Sequence, residues 1–402
     1  MIHVDKSAKD STALTIRWPA LLQSGFRPFF LLAGLQASLF VSIWVAGGVL
    51  GWPVPMGHNP VLWHGHAMLF GFASAALAGF LLTAVPNWTE AGPVCGVRLA
   101  ALVVVWFTAQ ALSLLPYPVA FAIADIGFWL LLIALIAPGI LRRNCRRNGV
   151  FVVILCVLTG LDLLWHVSLW QDRADLALTG LHAALGVYLL AIAIIGGRIV
   201  PAFTIGGLLQ AGHPVSIRPA PRLGLMSIVA LIVAITARIA GLPAPLQAIL
   251  FLIAALLHGA RLYHWWRREI LELPLIWSLH LGYAFLPLGF ALDAAAAYGL
   301  VPGTAGIHAL GSGAVGLMIL AVMTRASLGQ TGRRLTTPPL AVVAYLLVAA
   351  GALLRVGAAV GAGEMTQPLL IAGGLAWAGG FAAFVAGYAG ILIKPRVDGR
   401  PG

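Results

Sequence analysis

Three histidines of this chain sit in nearly the same local sequence. His66 lies in Gly-His-Ala (65–67), His182 in Gly-Leu-His-Ala (180–183) and His308 in Gly-Ile-His-Ala (306–309). A fourth, His64, stands two residues before the first. Neutral imidazole binds iron, copper and zinc well, and one or two axial histidines hold a b-type haem in an apolar cleft between helices. Acids that can orient such rings are present at Asp125, Asp162 and Asp293, and His166 follows Asp162 by four residues. On a helix, Asp162 and His166 share a face and can simply pair with each other. The aspartates read equally as interhelical hydrogen-bonding groups, as proton carriers or as partners of ligand imidazoles. A lone histidine between membrane helices is most often a hydrogen-bonding group, and His166, His258 and His264 read that way singly. The trio differs because it recurs, at intervals of 116 and 126 residues.

The elements that carry these residues are apolar runs. The 402 residues are 61% hydrophobic and 9% charged, against about 25% charged in soluble domains. Only a polytopic membrane protein disposes of that much apolar surface. Twelve runs of spanning length are expected at about 28–50, 62–86, 97–115, 118–141, 149–170, 176–200, 221–241, 245–266, 273–299, 303–327, 338–360 and 367–393. Residues 1–27 and 394–402 flank them as tails, and no stretch is long enough for a separate soluble domain. The net charge of +12 sets topology and does not signal nucleic acid. With both termini inside, every Lys and Arg except Arg173, Arg238 and Arg355 falls on the cytoplasmic side. The apolar-poor lead-in reads as a cytosolic tail before an uncleaved first span, so a cleavable signal peptide is not expected. The three cysteines, Cys95, Cys145 and Cys156, form neither a CxxC nor a CxxCH pattern, so a disulfide framework and covalent haem attachment are not expected.

That topology assigns depths. At 1.5 Å per residue, His64, His66, His166, His182, His308 and the three aspartates all fall in the outer third. His258 and His280 fall in the inner half. The echoed histidines open spans 2, 6 and 10, and spans 6 and 10 end on Arg198 and Arg325. This predicts an all-α fold of three four-helix units about a pseudo-threefold axis. His66 and His308 are the expected axial ligands of a haem b, with His182 and His64 lining a distal or second-metal site. Residues two apart on a helix point ~200° away from each other, so His64 and His66 cannot both face one metal unless Gly65 lets the backbone start extended. His66 is taken as the inward one. Arg198 and Arg325 read as topology and phosphate anchors, or as haem-propionate partners if the haem sits deeper.

Five segments carry a resemblance: SGFRPFFLLAG (24–34), WHGHAMLFGFASAALAGFLLTAVPNWT (63–89), IGGRIVPAFT (195–204), LHLGYAFLPLGFAL (279–292) and HALGSGAVGLMILAVMTRASLGQTGR (308–333). In content and order they resemble the NnrS family of bacterial haem- and copper-containing membrane proteins. The resemblance implies a twelve-span inner-membrane protein with haem b, copper as a second metal, and a role in the response to nitric oxide, often beside denitrification. Its motif residues fall on His64, His66, Arg198, Pro201, His280, His308 and Arg325. Two positions depart from the family pattern. Ala67 stands where an acid is common, and Gln330 where histidine is common; both departures bear on copper more than on haem. Haem-copper oxidases and bacterial nitric oxide reductases are similar in topology, with outer-third histidines on helices 2, 6 and 10, but span 7 here has no histidine.

The function expected is binding, sensing or turnover of nitric oxide or iron-nitrosyl species at a metal site near the periplasmic face, in protection against nitrosative stress. Nitric oxide is small and uncharged, so it reaches a buried iron through the lipid bilayer. Whether the protein is catalytic, and its electron donor, are left open. The rival reading is a secondary transporter with an intramembrane histidine-containing site.

Overall fold

A computed structural model describes residues 18–54, 59–89, 92–141, 148–361 and 363–400. Cys145 and residues 1–17 of the expected N-terminal tail lie outside these. Among the described residues the secondary structure is helical throughout, with no strand.

Twelve helices, α1–α12, correspond one to one with the expected runs. They are α1 Phe26–Val49, α2 Pro60–Thr89, α3 Gly96–Leu112, α4 Pro118–Ile140, α5 Val150–Trp170 and α6 Ala174–Gln210. The second half holds α7 Pro221–Ile239, α8 Ala244–Trp265, α9 Pro274–Ala297, α10 Gly303–Gln330, α11 Pro339–Val360 and α12 Thr366–Ile393. Eleven are long and apolar enough to cross a membrane. The other, α3, has seventeen residues, about 26 Å at 1.5 Å per residue and the short limit for a span. Proline opens α2, α4, α7, α9 and α11, where its missing N–H costs nothing and its φ suits the first turn. Asn59 caps α2, its Oδ1 accepting from the Val61 and Leu62 amides at 3.1 Å each.

One boundary differs from expectation. The sixth span was expected to stop at residue 200, yet α6 runs through Pro201 to Gln210. At ~55 Å it outruns a ~30 Å hydrocarbon core. Proline removes one ladder hydrogen bond but does not end a helix whose flanks are well packed.

Chain neighbours pack side by side around the bundle, and α12 returns against α1. Arg27, wholly buried at the start of α1, donates to the carbonyls of Leu392 and Lys394 at 2.8 and 2.7 Å. The first and last helices therefore begin and end at the same face of the bundle. Outward faces carry exposed Val104, Phe107, Ile123 and Leu256, side chains that lipid accepts and water does not. α2 is the most enclosed helix and α7 the least. The three helices with the echoed histidines, α2, α6 and α10, touch one another pairwise. Two of them break regularity at the same point. A π-helical stretch follows His66 at Ala67–Ala73 and another follows His308 at Ala309–Val315; such wide turns concentrate at functional sites.

Candidate metal centre and neighbouring cavity

The backbone is α-helical through both His64 and His66, so their imidazoles diverge and enter two different environments. Gly65 between them sits close against α6. A Cβ there would come within 2.7 Å of Leu181 on α6, so only glycine lets the two helices approach this closely without a shift of that leucine.

His66 turns into a closed polar cluster. Its Nε2 lies 2.8 Å from Asp162 Oδ1 and 3.0 Å from Asp125 Oδ2. His166 Nε2 lies 3.2 Å from the same Asp125 oxygen and 3.8 Å from Asp162. Trp129 donates its indole N–H to the second Asp162 oxygen at 3.0 Å. All four side chains are at most 3% exposed, and their candidate ligand atoms fall within 4.8 Å of one another. The surroundings are aromatic: Trp165, Phe70 and Phe121 stand 4.1, 5.0 and 5.3 Å from the His66 ring. Two carboxylates this deep and this close need compensating positive charge, which protons on the imidazoles or a cation supply. Two nitrogens and two oxygens form a donor set suited to a divalent transition metal.

His64 turns the other way, into a slot between α1, α2, α10, α11 and α12 that it shares with His308. The slot has a cavity volume of about 160 Å³ and is open on one side. His308 Nδ1–H donates to the Thr304 carbonyl at 2.7 Å. That bond fixes the tautomer and leaves Nε2 with the free electron pair. His64 Nδ1 is buried and has no hydrogen-bond partner, and Trp44 packs 4.7 Å from its ring. Gly311, Gly351, Gly373 and Gly374 line the walls, and Arg355 supplies one cation. A flat, apolar macrocycle bearing acidic groups fits this donor set: two imidazoles for a metal, glycine-lined walls for a ring, and a guanidinium for carboxylates.

The structure places the two expected axial ligands in different surroundings. His66 and His308 are not brought to one site, because the ~200° divergence of alternate helix residues sends His66 to the aspartates and His64 to His308. His182 joins neither group. Gly186, one turn on and on the same face, abuts Ile235 of α7, and His182 lies within electrostatic reach of Arg238. His280 is buried on α9 with Nδ1 bonded to the Ile276 carbonyl at 3.1 Å, outside both groups. Arg198 bonds Asn148 at 3.2 Å, and Arg325 stacks 4.0 Å over Phe203; neither reaches the slot. Asp162 and His166, which could simply pair, lie 3.8 Å apart, while Asp162 is 2.8 Å from His66 and His166 is 3.2 Å from Asp125. Asp293 forms a buried ion pair with Arg238, and any side chain at Gly306 would strike its carboxylate.

Sequence reasoning placed Arg355 on the wrong side of the charge rule without a reason, and missed Trp129. Arg355 lines the histidine slot. The other two exceptions are also engaged, Arg238 with Asp293 and Arg173 with Asp175 at 2.9 Å. A search of curated proteins finds no match. The family model described as NnrS protein matches residues 20–396, nearly the whole chain, and the protein belongs to that family.

Proposed function

We propose that this member of the NnrS family holds a b-type haem in the His64–His308 slot and a divalent metal, copper by preference, in the His66–Asp125–Asp162–His166 cluster. It acts on nitric oxide or iron-nitrosyl species in protection against nitrosative stress. It spans the bacterial inner membrane twelve times, with both termini cytoplasmic. The meeting of α1 and α12 at one face supports an even number of crossings, and the Lys and Arg distribution supports the cytoplasmic side. The mutual contact of α2, α6 and α10 supports three four-helix units about a common axis.

The observation that carries the reading is the state of the two slot imidazoles. His308 presents an uncommitted Nε2, and His64 has a ring nitrogen with no partner, in one apolar cleft. A haem held there would supply a one-electron centre, and a site for a diatomic gas where one of the two imidazoles gives up its place. The chain's own residues do the rest. The Thr304 carbonyl holds the His308 ring in orientation, and Arg355 pairs with ring carboxylates. Trp44, Met68 and Trp377 line the cleft and exclude water. One turn away, the aspartates hold or exchange protons on His66 and His166, and keep those nitrogens available to a metal ion.

The test is an optical spectrum with metal analysis of the purified protein. A Soret band that shifts on adding nitric oxide, with about one transition-metal ion per chain besides haem iron, is expected. A colourless, metal-free protein from cells replete in both would overturn the reading.

A further inference from the structure

A second constellation lies at the opposite end of the bundle, where α6 and α10 finish and α9 and α11 begin. A cleft of about 790 Å³ opens there, lined by Arg325, Arg333 and Arg334 with Thr336, Thr337 and Glu272. We propose that this three-arginine cleft binds a phosphate-bearing anion.

The argument starts from the cations. Among the described residues none of the three guanidiniums has a carboxylate within 4 Å, whereas Arg173, Arg238 and Arg396 each have one. The two acids nearby are engaged elsewhere: Glu272 faces His213 at 3.8 Å, and Asp398, against Gly332, takes a two-point bond from Arg396. The flat face of Arg325 is stacked on Phe203, which leaves the N–H edge of its fork as the bonding surface. Arg333 Nη1 is buried without an acceptor, an arrangement proteins avoid unless something else accepts. Three guanidiniums on one cleft call for more than one negative charge, and guanidinium forks match phosphate oxygens in pairs. The hydroxyls of Thr336 and Thr337 add neutral donors. The N-terminus of α9, at Pro274, borders the same space and contributes the positive end of its dipole. One wall, with Leu335 and Val342, is apolar.

Two sources carry this chemistry, an anionic lipid headgroup at the membrane surface and a free phosphate from the aqueous phase. They separate when the unfolding temperature of the purified protein is measured in three settings: neutral-lipid nanodiscs, the same discs with phosphatidylglycerol, and neutral discs with added inorganic phosphate. A rise of at least ~2 °C is expected in one or both anionic settings, and lost in the R325Q/R333Q/R334Q variant. Arg222→Gln, another arginine of the same membrane side, keeps the response. A rise with phosphatidylglycerol alone assigns a headgroup; a rise with inorganic phosphate assigns the free ion. No rise in either, or an equal rise in the triple variant, overturns the proposal. Should the triple variant fail to fold, the exposed Arg334→Gln alone must weaken the titrated response at least about threefold, and an unchanged titration overturns the proposal as well.

Discussion

His66 on α2 and Asp162 on α5, ninety-six residues apart in the chain, meet at 2.8 Å through Nε2 and Oδ1. Asp125 closes the triangle on His66 at 3.0 Å. This contact, more than any local pattern, makes His66 part of a buried, acid-rich cluster of metal-binding type.

The first expectation concerns that centre. Asp162→Asn and Asp125→Asn keep the side-chain shape but remove an anionic donor. Bound transition metal, read by mass spectrometry of the purified protein, should fall about ten- to a hundredfold in affinity. Because imidazole and carboxylate must be deprotonated to bind a metal, wild-type occupancy should drop as pH is lowered from 8 to 5. Metal content that is the same in both variants and across that range would remove the centre from consideration.

The two histidines of the Trp-His-Gly-His sequence should separate by experiment. His64→Ala and His308→Ala should each abolish or strongly reduce the Soret absorbance. His66→Ala should leave the Soret band and deplete the second metal. Loss of haem from His66→Ala with retention in His64→Ala would restore the pairing read from the sequence.

Two slot glycines should behave oppositely. A Cβ on Gly351 would press on the Gly373 carbonyl and the Trp377 amide at 2.7 Å, so Gly351→Ala must push α11 from α12. It should cost ~1–3 kcal/mol of stability, read by denaturant titration in detergent. Gly311 faces open space. Gly311→Ala should fold normally, yet project into the slot and lower haem content.

The Arg238–Asp293 pair makes a further case. Asp293 is 3% exposed, so Arg238→Met strands a buried carboxylate and should destabilise the protein by ~3–5 kcal/mol. The double variant Arg238→Met with Asp293→Asn should recover much of that loss in the same unfolding measurement. Additive losses would mean that the two side chains do not act as a pair.

The helices were legible in the sequence because a bilayer imposes length and apolarity on each element alone, and eleven of the twelve expected runs are long and apolar enough to cross one. Chain neighbours then pack together, so the order α1 to α12 follows with little further information. By residue type, His64, His66, His308, Asp125 and Asp162 stood out in the sequence, and the structure gathers them into two groups. Partnership was not legible. It depends on how far each helix is rotated about its axis, and the π stretches after His66 and His308 shift that rotation in a way no periodicity in Gly- and Ala-rich segments reveals. The value of Arg355 and Arg238 was visible only as a violation. They were the charges that topology could not explain, and both proved to face interior polar groups.

The span of sequence between Arg238 and Asp293 also constrains how the molecule is made. Translation at about 5–20 residues per second leaves Arg238 without its counter-ion for ~3–11 s, until α9 follows α7 and α8 out of the ribosome. During that interval Arg238, in the last turn of α7, must reach the membrane surface for polar partners, so α7, the least enclosed helix of the finished bundle, takes its final packing only later. That packing is tied to the arrival of a later segment, and a chain truncated before residue 293 should be a substrate for membrane quality control.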